Sequence, residues 1–291
     1  MKVSVVTPSY NQGRFLQRTL QSVADQQAPG LEIEHVVFDG GSTDESVAVL
    51  QAFQPPVRWV SRKDRGQTDA VNQGLRSTDG EVIGWLNSDD IYYPGAIAAA
   101  VDFLAAHPEV DVVYGMADHI DLEDRAFEPY PTEEWDFERL RETCFICQPA
   151  LFLRRSVVER HGLLDDALQY CMDYEYWLRL GKAGVRFAYL PRKLAGSRMY
   201  ADNKTLGARR KVHREINDMM KSLFGSVPDR WLSNYAHMVV QDSVDRTTAP
   251  KRFVLLLLAV CAGAALRWNG RISAPMRAQL LQWGRSALLA R

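Results

Sequence analysis

Several short polar runs in this chain hold residue types that could do chemistry. Residues 85–90 read WLNSDD, so Asn87, Ser88, Asp89 and Asp90 follow directly on the apolar run 81–86. Adjacent carboxylates repel each other and are costly to bury without partners. Three readings compete: the pair caps the next helix, binds a metal, or lies in a solvated loop. Residues 39–44 read DGGSTD. This is neither the GxGxxG of a dinucleotide site nor a phosphate loop ending in GK[ST]. Ser42 or Thr43, with Asp44 and Glu45, reads as the cap of a following helix. That leaves Asp39, a carboxylate able to accept hydrogen bonds from a base or a ribose. Residues 171–180 read CMDYEYWLRL, which puts Asp173 at the start of a helix and Glu175 two residues on. Cys144 and Cys147 have CxxC spacing, but zinc would need a second pair or a nearby His cluster. The four cysteines read as reduced thiols of a cytosolic protein.

The elements that must position these runs alternate. Lys2 to Thr7 reads as a strand, and Asn11 to Gln27 as a helix with Phe15, Leu16, Leu20 and Val23 on one face. Ile33 to Phe38 is a second strand, followed by a helix through Val47, Val49 and Leu50. Val57 to Ser61, a helix over Thr68 to Leu75, and the strand Glu81 to Leu86 continue the rhythm. Such alternation predicts an α/β fold with a parallel sheet and right-handed crossovers. Ligands of open sheets of this kind sit beyond the carboxyl ends of the strands. Four of those ends carry polar residues, several of them Asp, which reads as a binding cleft rather than as generic loop polarity.

Bulk properties narrow the classes. The 291 residues suit one large α/β domain with appendages, or two domains. Lys and Arg number 35 against 36 Asp and Glu, a net charge of -1 that argues against nucleic acid as a partner. Met1-Lys2 leads straight into an alternating strand, which reads as no signal peptide. The apolar run Phe253 to Leu266 is shorter than the roughly 20 residues a spanning helix needs. It reads as a buried or interfacial helix.

Four segments together resemble a family. VVTPSYNQGRFLQRTLQSVADQQ, HVVFDGGSTDESVAVL, DRGQTDAVNQGL and WLNSDDIYYPGAI are similar, in order, to glycosyltransferase family two, of the GT-A fold. The segment CQPALFLRRSVVERHGLLDDALQYCMDYEYWLRL extends the likeness to about Leu180. The resemblance implies a Rossmann-like, mostly parallel sheet flanked by helices. It also implies a nucleotide-sugar donor, Mn²⁺ or Mg²⁺, and inversion at the anomeric carbon.

The resemblance assigns roles. The family ends this strand in Asp-x-Asp, and here Asn87 stands at the first acid. Asp89 is then the metal ligand, Asp90 supports it, and Asn87 and Ser88 face the donor. Pro8, Ser9 and Tyr10 would line the nucleoside pocket, and Asp39 would bond the base. Asp64 and Arg65 would flank the base or diphosphate, with a surface ion pair as the other reading of Arg65. Asp173 would be the general base, with Glu175 as runner-up and helix capping as the bland alternative. Gln148 would touch donor or acceptor sugar. Arg198 and Lys204 would reach the phosphates. The family often has a His in this last loop, whereas this chain reads Met199-Tyr200, which leaves a third metal ligand open.

The implied division is a GT-A domain over residues 1–205, with a nucleotide half (1–100) and an acceptor half (101–205), then a helical region over 206–291. The basic run ARRKVHR and the tail MRAQLLQWGRSALLAR read as helices able to meet a membrane surface. The expected activity is metal-dependent transfer from a nucleotide sugar, a UDP-sugar first and a dTDP- or GDP-sugar next. The acceptor would be a glycan or a polyprenyl-linked glycan, at the cytoplasmic face of a membrane. The alternative, motivated by Asn87 and Met172, is a non-catalytic nucleotide-sugar-binding subunit with a partly decayed site.

Overall fold

Val3, Val5 and Val6 are fully buried, and a strand buried on both faces reads as such a near-continuous apolar run. This is β1 (Lys2–Ser9), which lies between two parallel neighbours, β2 (Glu32–Asp39) and β4 (Val82–Trp85). β3 (Arg58–Ser61) pairs parallel outside β2. The computed structural model in which these elements are seen describes residues 1–200, 203 and 207–289. The chain forms two compact units, Met1–Tyr200 and Ala201–Arg291.

Helices α1 (Gly13–Ala24), α2 (Ser46–Ala52) and α3 (Gln67–Ser77) connect these strands. Phe15, Leu16, Leu20 and Val23 are all buried. Gly74 lets α3 approach β1 closely, since a Cβ there would meet Val6 Cγ1 at 2.2 Å. Helix α1 starts two residues later than its periodicity indicates. Asn11 adopts a positive φ of 51° and Gln12 caps. Asp44 acts for two helices, accepting from Ser46 N in α2 (3.0 Å) and from Gly13 N in α1 (2.9 Å). Burial pushes its carboxyl up, but these bonds outweigh that and hold it below the usual range. Ser42 and Thr43, expected as caps, are instead tied to Asn11.

The rest of the sheet is mixed. The strands are β5 (Ile91–Tyr92), β6 (Val112–Ile120), β7 (Ala126–Pro129), β8 (Leu151–Arg154) and β9 (Phe187–Arg198). The order is β3-β2-β1-β4-β8-β6-β9-β5, with β7 on β6. β8 runs antiparallel to both β4 and β6, and β9 runs parallel to β6. Helices α4 (Ala96–Ala106), α5 (Phe137–Glu142), α6 (Arg155–His161) and α7 (Met172–Lys182) complete this unit. The architecture is α/β, with the parallel strands confined to the first half of the sheet and to β6–β9.

The second unit holds α8 (Arg209–Phe224), α9 (Asp229–Gln241), α10 (Pro250–Asn269) and α11 (Ala274–Leu289). Its buried side chains include Ile216, Met220, Leu232, Phe253, Leu257 and Trp268. α10 extends beyond the expected apolar run at both ends, and one stripe of it is core.

Candidate active site

The ends of three parallel strands form a row. Ser9 is paired with Asp39, and Asp39 with Ser61. Asp39 is buried and accepts from Gly41 N (3.1 Å), Ser42 N (2.9 Å), Ser42 Oγ (2.5 Å) and Ser61 Oγ (2.6 Å). Four bonds use most of a carboxylate's capacity, so Asp39 closes the DGGS turn. Ser9 Oγ, beside it, is buried and has no partner among the described residues. Tyr10 is 61% exposed, the most exposed residue of the β1 rim. Gly40 leaves room between Tyr10 and Asp64. A Cβ there would lie 3.0 Å from Asp64 Oδ2 and 3.2 Å from Tyr10 Cδ2. Asp64 is half-buried, which pushes its carboxyl up despite the bond from Gly66 N (2.8 Å). Pro8 is buried within β1, and Arg65 is turned to Asp69 (3.0 Å) and Asp166 (2.5 Å). Arg65 here makes the surface ion pairs that were its other reading.

The WLNSDD turn follows β4, with Leu86 N bonded to Val6 O (3.0 Å). Asn87 is its hub. Its Oδ1 accepts from Trp85 Nε1 (2.9 Å) and Gln67 Nε2 (2.8 Å), and its Nδ2 donates to Asp90 Oδ2 (3.2 Å) and Gln148 Oε1 (2.9 Å). Gln148 Nε2 in turn donates to Trp85 O (2.5 Å). Both amides are therefore bonded within the protein around this turn. Ser88 is buried. Asp90 is buried as well, and Oδ1 accepts from Arg198 N (2.9 Å). Burial and the charge of Asp89 push its carboxyl up to about 8. Asp89 is only half-buried. Burial raises its pKa too, opposed by the bond that Tyr200 Oη donates to Oδ2 (2.8 Å).

Arg198 ends β9 behind this turn and is 1% exposed. It donates to Asp89 O (2.8 Å), Asp121 O (2.5 Å) and the Asp124 carboxylate. Breaking a buried pair by removing one partner costs about 3–5 kcal/mol. Arg198 is thus a strut for the acidic turn. Lys204 lies outside the described residues. Tyr200, which had been given no role, packs its ring on Phe15 (centroids 5.1 Å) beneath Arg14 (4.7 Å) and accepts from Gln12 Nε2 (2.9 Å).

Asp173 enters from the other half. Its helix α7 is preceded by a segment docked on α3. Asn72 Nδ2 donates to Leu164 O (2.9 Å) and Thr68 Oγ1 to Leu168 O (3.0 Å). Asp173 sits in the first turn of α7, half-buried, and Tyr174 N donates to its Oδ1 (2.8 Å). Met172 is core. Glu175 is buried in a pair with Arg179 (2.8 Å), whose guanidinium also holds His161 O and Leu163 O, so Glu175 is structural. The buried Cys147 thiol is pushed up by burial and by the charges of Asp90 and Asp173 together. Both CxxC thiols are free.

No cluster of three or more His, Cys, Asp or Glu occurs among the described residues. Mg²⁺-type sites need only one or two carboxylates when substrate phosphates complete the shell. Asp89 fits that sparse kind of site, whereas Asn87 and Asp90 are committed elsewhere.

Comparisons with known proteins address the family and the fold. The family model described as glycosyl transferase family 2 matches residues 4–162. An uncharacterised glycosyltransferase of Mycobacterium tuberculosis is 35% identical over 180 residues, 61% of this chain and 68% of that one. Among solved structures, S. aureus TarS 1–349 in complex with UDP-GlcNAc is similar over 99% of this chain and 90% of that one, with 18% identity and a TM-score of 0.62. The Pyrobaculum calidifontis mannosyltransferase with GDP-Man and Mn²⁺ matches 98% of this chain and 80% of that one, with 20% identity and a TM-score of 0.60. At these identities the two structures speak for the fold, which is GT-A.

Proposed function

The chain belongs to glycosyltransferase family 2 and is a glycosyltransferase, and from that premise we propose that it inverts the anomeric carbon of a nucleotide sugar, a UDP-sugar first, while passing the sugar to a glycan or polyprenyl-linked glycan. The observation that carries this reading is the rim. Exposed Tyr10, unpartnered Ser9 Oγ, half-buried Asp64 and half-buried Asp89 stand at or follow the ends of β1, β3 and β4, and the segment leading to Asp173 is docked on α3, whose Gln67 bonds Asn87. The fold neighbours support the donor class, since one holds UDP-GlcNAc and the other GDP-Man with Mn²⁺.

The Tyr10 ring offers a face for the base, Ser9 Oγ a free polar group, and Asp64 an acceptor for a base or ribose donor. Asp39 holds the turn beneath them. Asp89 would hold Mn²⁺ or Mg²⁺ together with the donor phosphates. A bound divalent ion supplies charge neutralisation for the departing diphosphate. The acceptor hydroxyl attacks C1 from the face opposite the nucleotide. The new C1–O bond forms as the bond to the diphosphate oxygen breaks, and that oxygen keeps the electron pair. The hydroxyl proton passes to the Asp173 carboxylate. The Asn87 amide knits the turn and Met172 fills core, so both residues fit the structure around the site. The helical unit adds contact with the inner face of a membrane.

Asp173→Asn tests the assignment. Release of nucleoside diphosphate should fall roughly 10²–10⁴-fold, the usual size of a general-base contribution. The thermal shift produced by donor should persist, since binding to the folded state is untouched. Retained turnover would remove Asp173 from the mechanism.

A further inference from the structure

The near-zero net charge conceals a division. Met1–Tyr200 carries 20 Lys and Arg against 30 Asp and Glu, whereas Ala201–Arg291 carries 15 against 6. The second unit is thus basic by nine charges. We infer that this unit seats on an anionic lipid bilayer through one face of α10, which lies among the headgroups and does not cross them. This deepens the membrane contact proposed above by naming its surface and chemistry.

α10 has two unlike faces. Phe253, Leu257, Cys261, Ala264 and Trp268 recur at helical spacing and are buried. The opposite face carries Leu255, Ala259, Gly263 and Leu266, all exposed. Leu255 is 66% and Leu266 54% exposed. At 1.5 Å per residue this uncovered stripe is about 16 Å long, and no charge interrupts it. Basic residues close both ends. Lys251 and Arg252 stand before it, and Arg267 and Arg271 after it. Lys251 and Arg252 are exposed and form no ion pair among the described residues. α11 repeats the composition, with Leu281, 64% exposed, between Arg277 and Arg285 at four-residue spacing. Apolar surface bordered by cations is what an interfacial helix presents to anionic lipid.

By length and composition alone α10 could cross a bilayer. Its buried stripe opposes that. Trp268 Nε1 donates to Asp218 on α8 (2.8 Å), and Asn269 exchanges two bonds of 2.8 Å with the Val227 backbone. Crossing would strip these bonds and uncover the unit's core. A second copy is also a poor occupant. Laid on the stripe in either direction, it would bring basic ends against basic ends.

The test is flotation of the full chain with phosphatidylcholine vesicles, with and without phosphatidylglycerol. The chain should float with the anionic vesicles and be released by high salt. Each cation near such a surface is worth roughly a fivefold in affinity, so K251Q/R252Q should weaken binding roughly 30-fold. Leu255→Ser with Leu266→Ser should weaken it at least as much. These side chains are exposed, so thermal midpoints should be unchanged. Release of nucleoside diphosphate from soluble donor, read in parallel, should be unchanged too, which separates failure here from failure of the transferase reading. Equal binding to neutral vesicles, or variants that bind like the parent chain, would overturn the inference. So would a dimer abolished by the serine pair in a chain that ignores vesicles.

Discussion

Asn87 stands where an acidic metal-binding turn would carry its first carboxylate, and the hydrogen bonds explain why an amide is there. It donates to Asp90 and Gln148 while accepting from Trp85 and Gln67. Asn87→Asp would lose both donations and leave Gln148 Oε1 without its donor. We expect a loss of about 2–3 kcal/mol at neutral pH, measured by urea unfolding. The deficit should shrink in acid as the new carboxyl takes up a proton. An equally stable variant would mean that the network does not hold the turn. Tyr200→Phe probes the neighbouring acid. The ring would keep its place on Phe15, but Asp89 Oδ2 would lose its donor. Groups that orient a metal ligand typically matter 10–100-fold in affinity. Calorimetric Mn²⁺ binding to the donor complex should weaken by about tenfold, and unchanged affinity would leave Tyr200 a packing residue. The residue types at this site were legible in WLNSDD, but their division of labour was not. Asp89 and Asp90 differ because Arg198 and Tyr200, more than a hundred residues on, engage one carboxylate each.

At the scale of elements, the first half of the chain was readable because its strands and helices declare themselves locally. Apolar runs marked β1 to β4, and Phe15, Leu16, Leu20 and Val23 marked α1. The second half depends on distant pairing that no local period encodes. β8 inserts antiparallel between β4 and β6, β5 is two residues long, and β9 slips register along β6 near Met116. The parallel half also predicts acid sensitivity. His35 on β2 meets Thr7 on β1 through Nε2 (2.9 Å), and burial pushes its pKa down to about 3. Its folded-state value lies below the ordinary 6.5, so the unfolded chain binds the proton first. Stability is therefore present above pH 6.5 and lost as pH falls from there toward 3. One proton difference is worth about 1.4 kcal/mol per pH unit. His213 and His237 are shifted the same way by burial and add to the loss. His35→Gln should lower the slope between pH 6.5 and 5 by up to about one proton, read from urea unfolding at several pH values. An unaltered slope would mean that His35 is solvated when folded.

For the whole molecule, the question is whether the transferase needs its helical unit. Every strand of the sheet lies within Met1–Tyr200, as do the core cluster under β1 and β4 and the acidic rim. A sheet with its own core should fold alone. The helical unit carries the uncovered stripe of α10 and the basic excess on which the proposed membrane seat rests. We therefore expect a fragment of residues 1–205 to unfold cooperatively and to bind a nucleotide sugar within a few-fold of the full chain. It should fail to float with anionic vesicles, because the piece that remains is net acidic and would be repelled by them. Calorimetry with the donor and flotation, run on both proteins, read the two properties separately. A fragment that aggregates or melts without cooperativity would show that the helices complete the transferase core. That outcome would move the boundary and make the basic unit part of the catalytic body rather than its anchor.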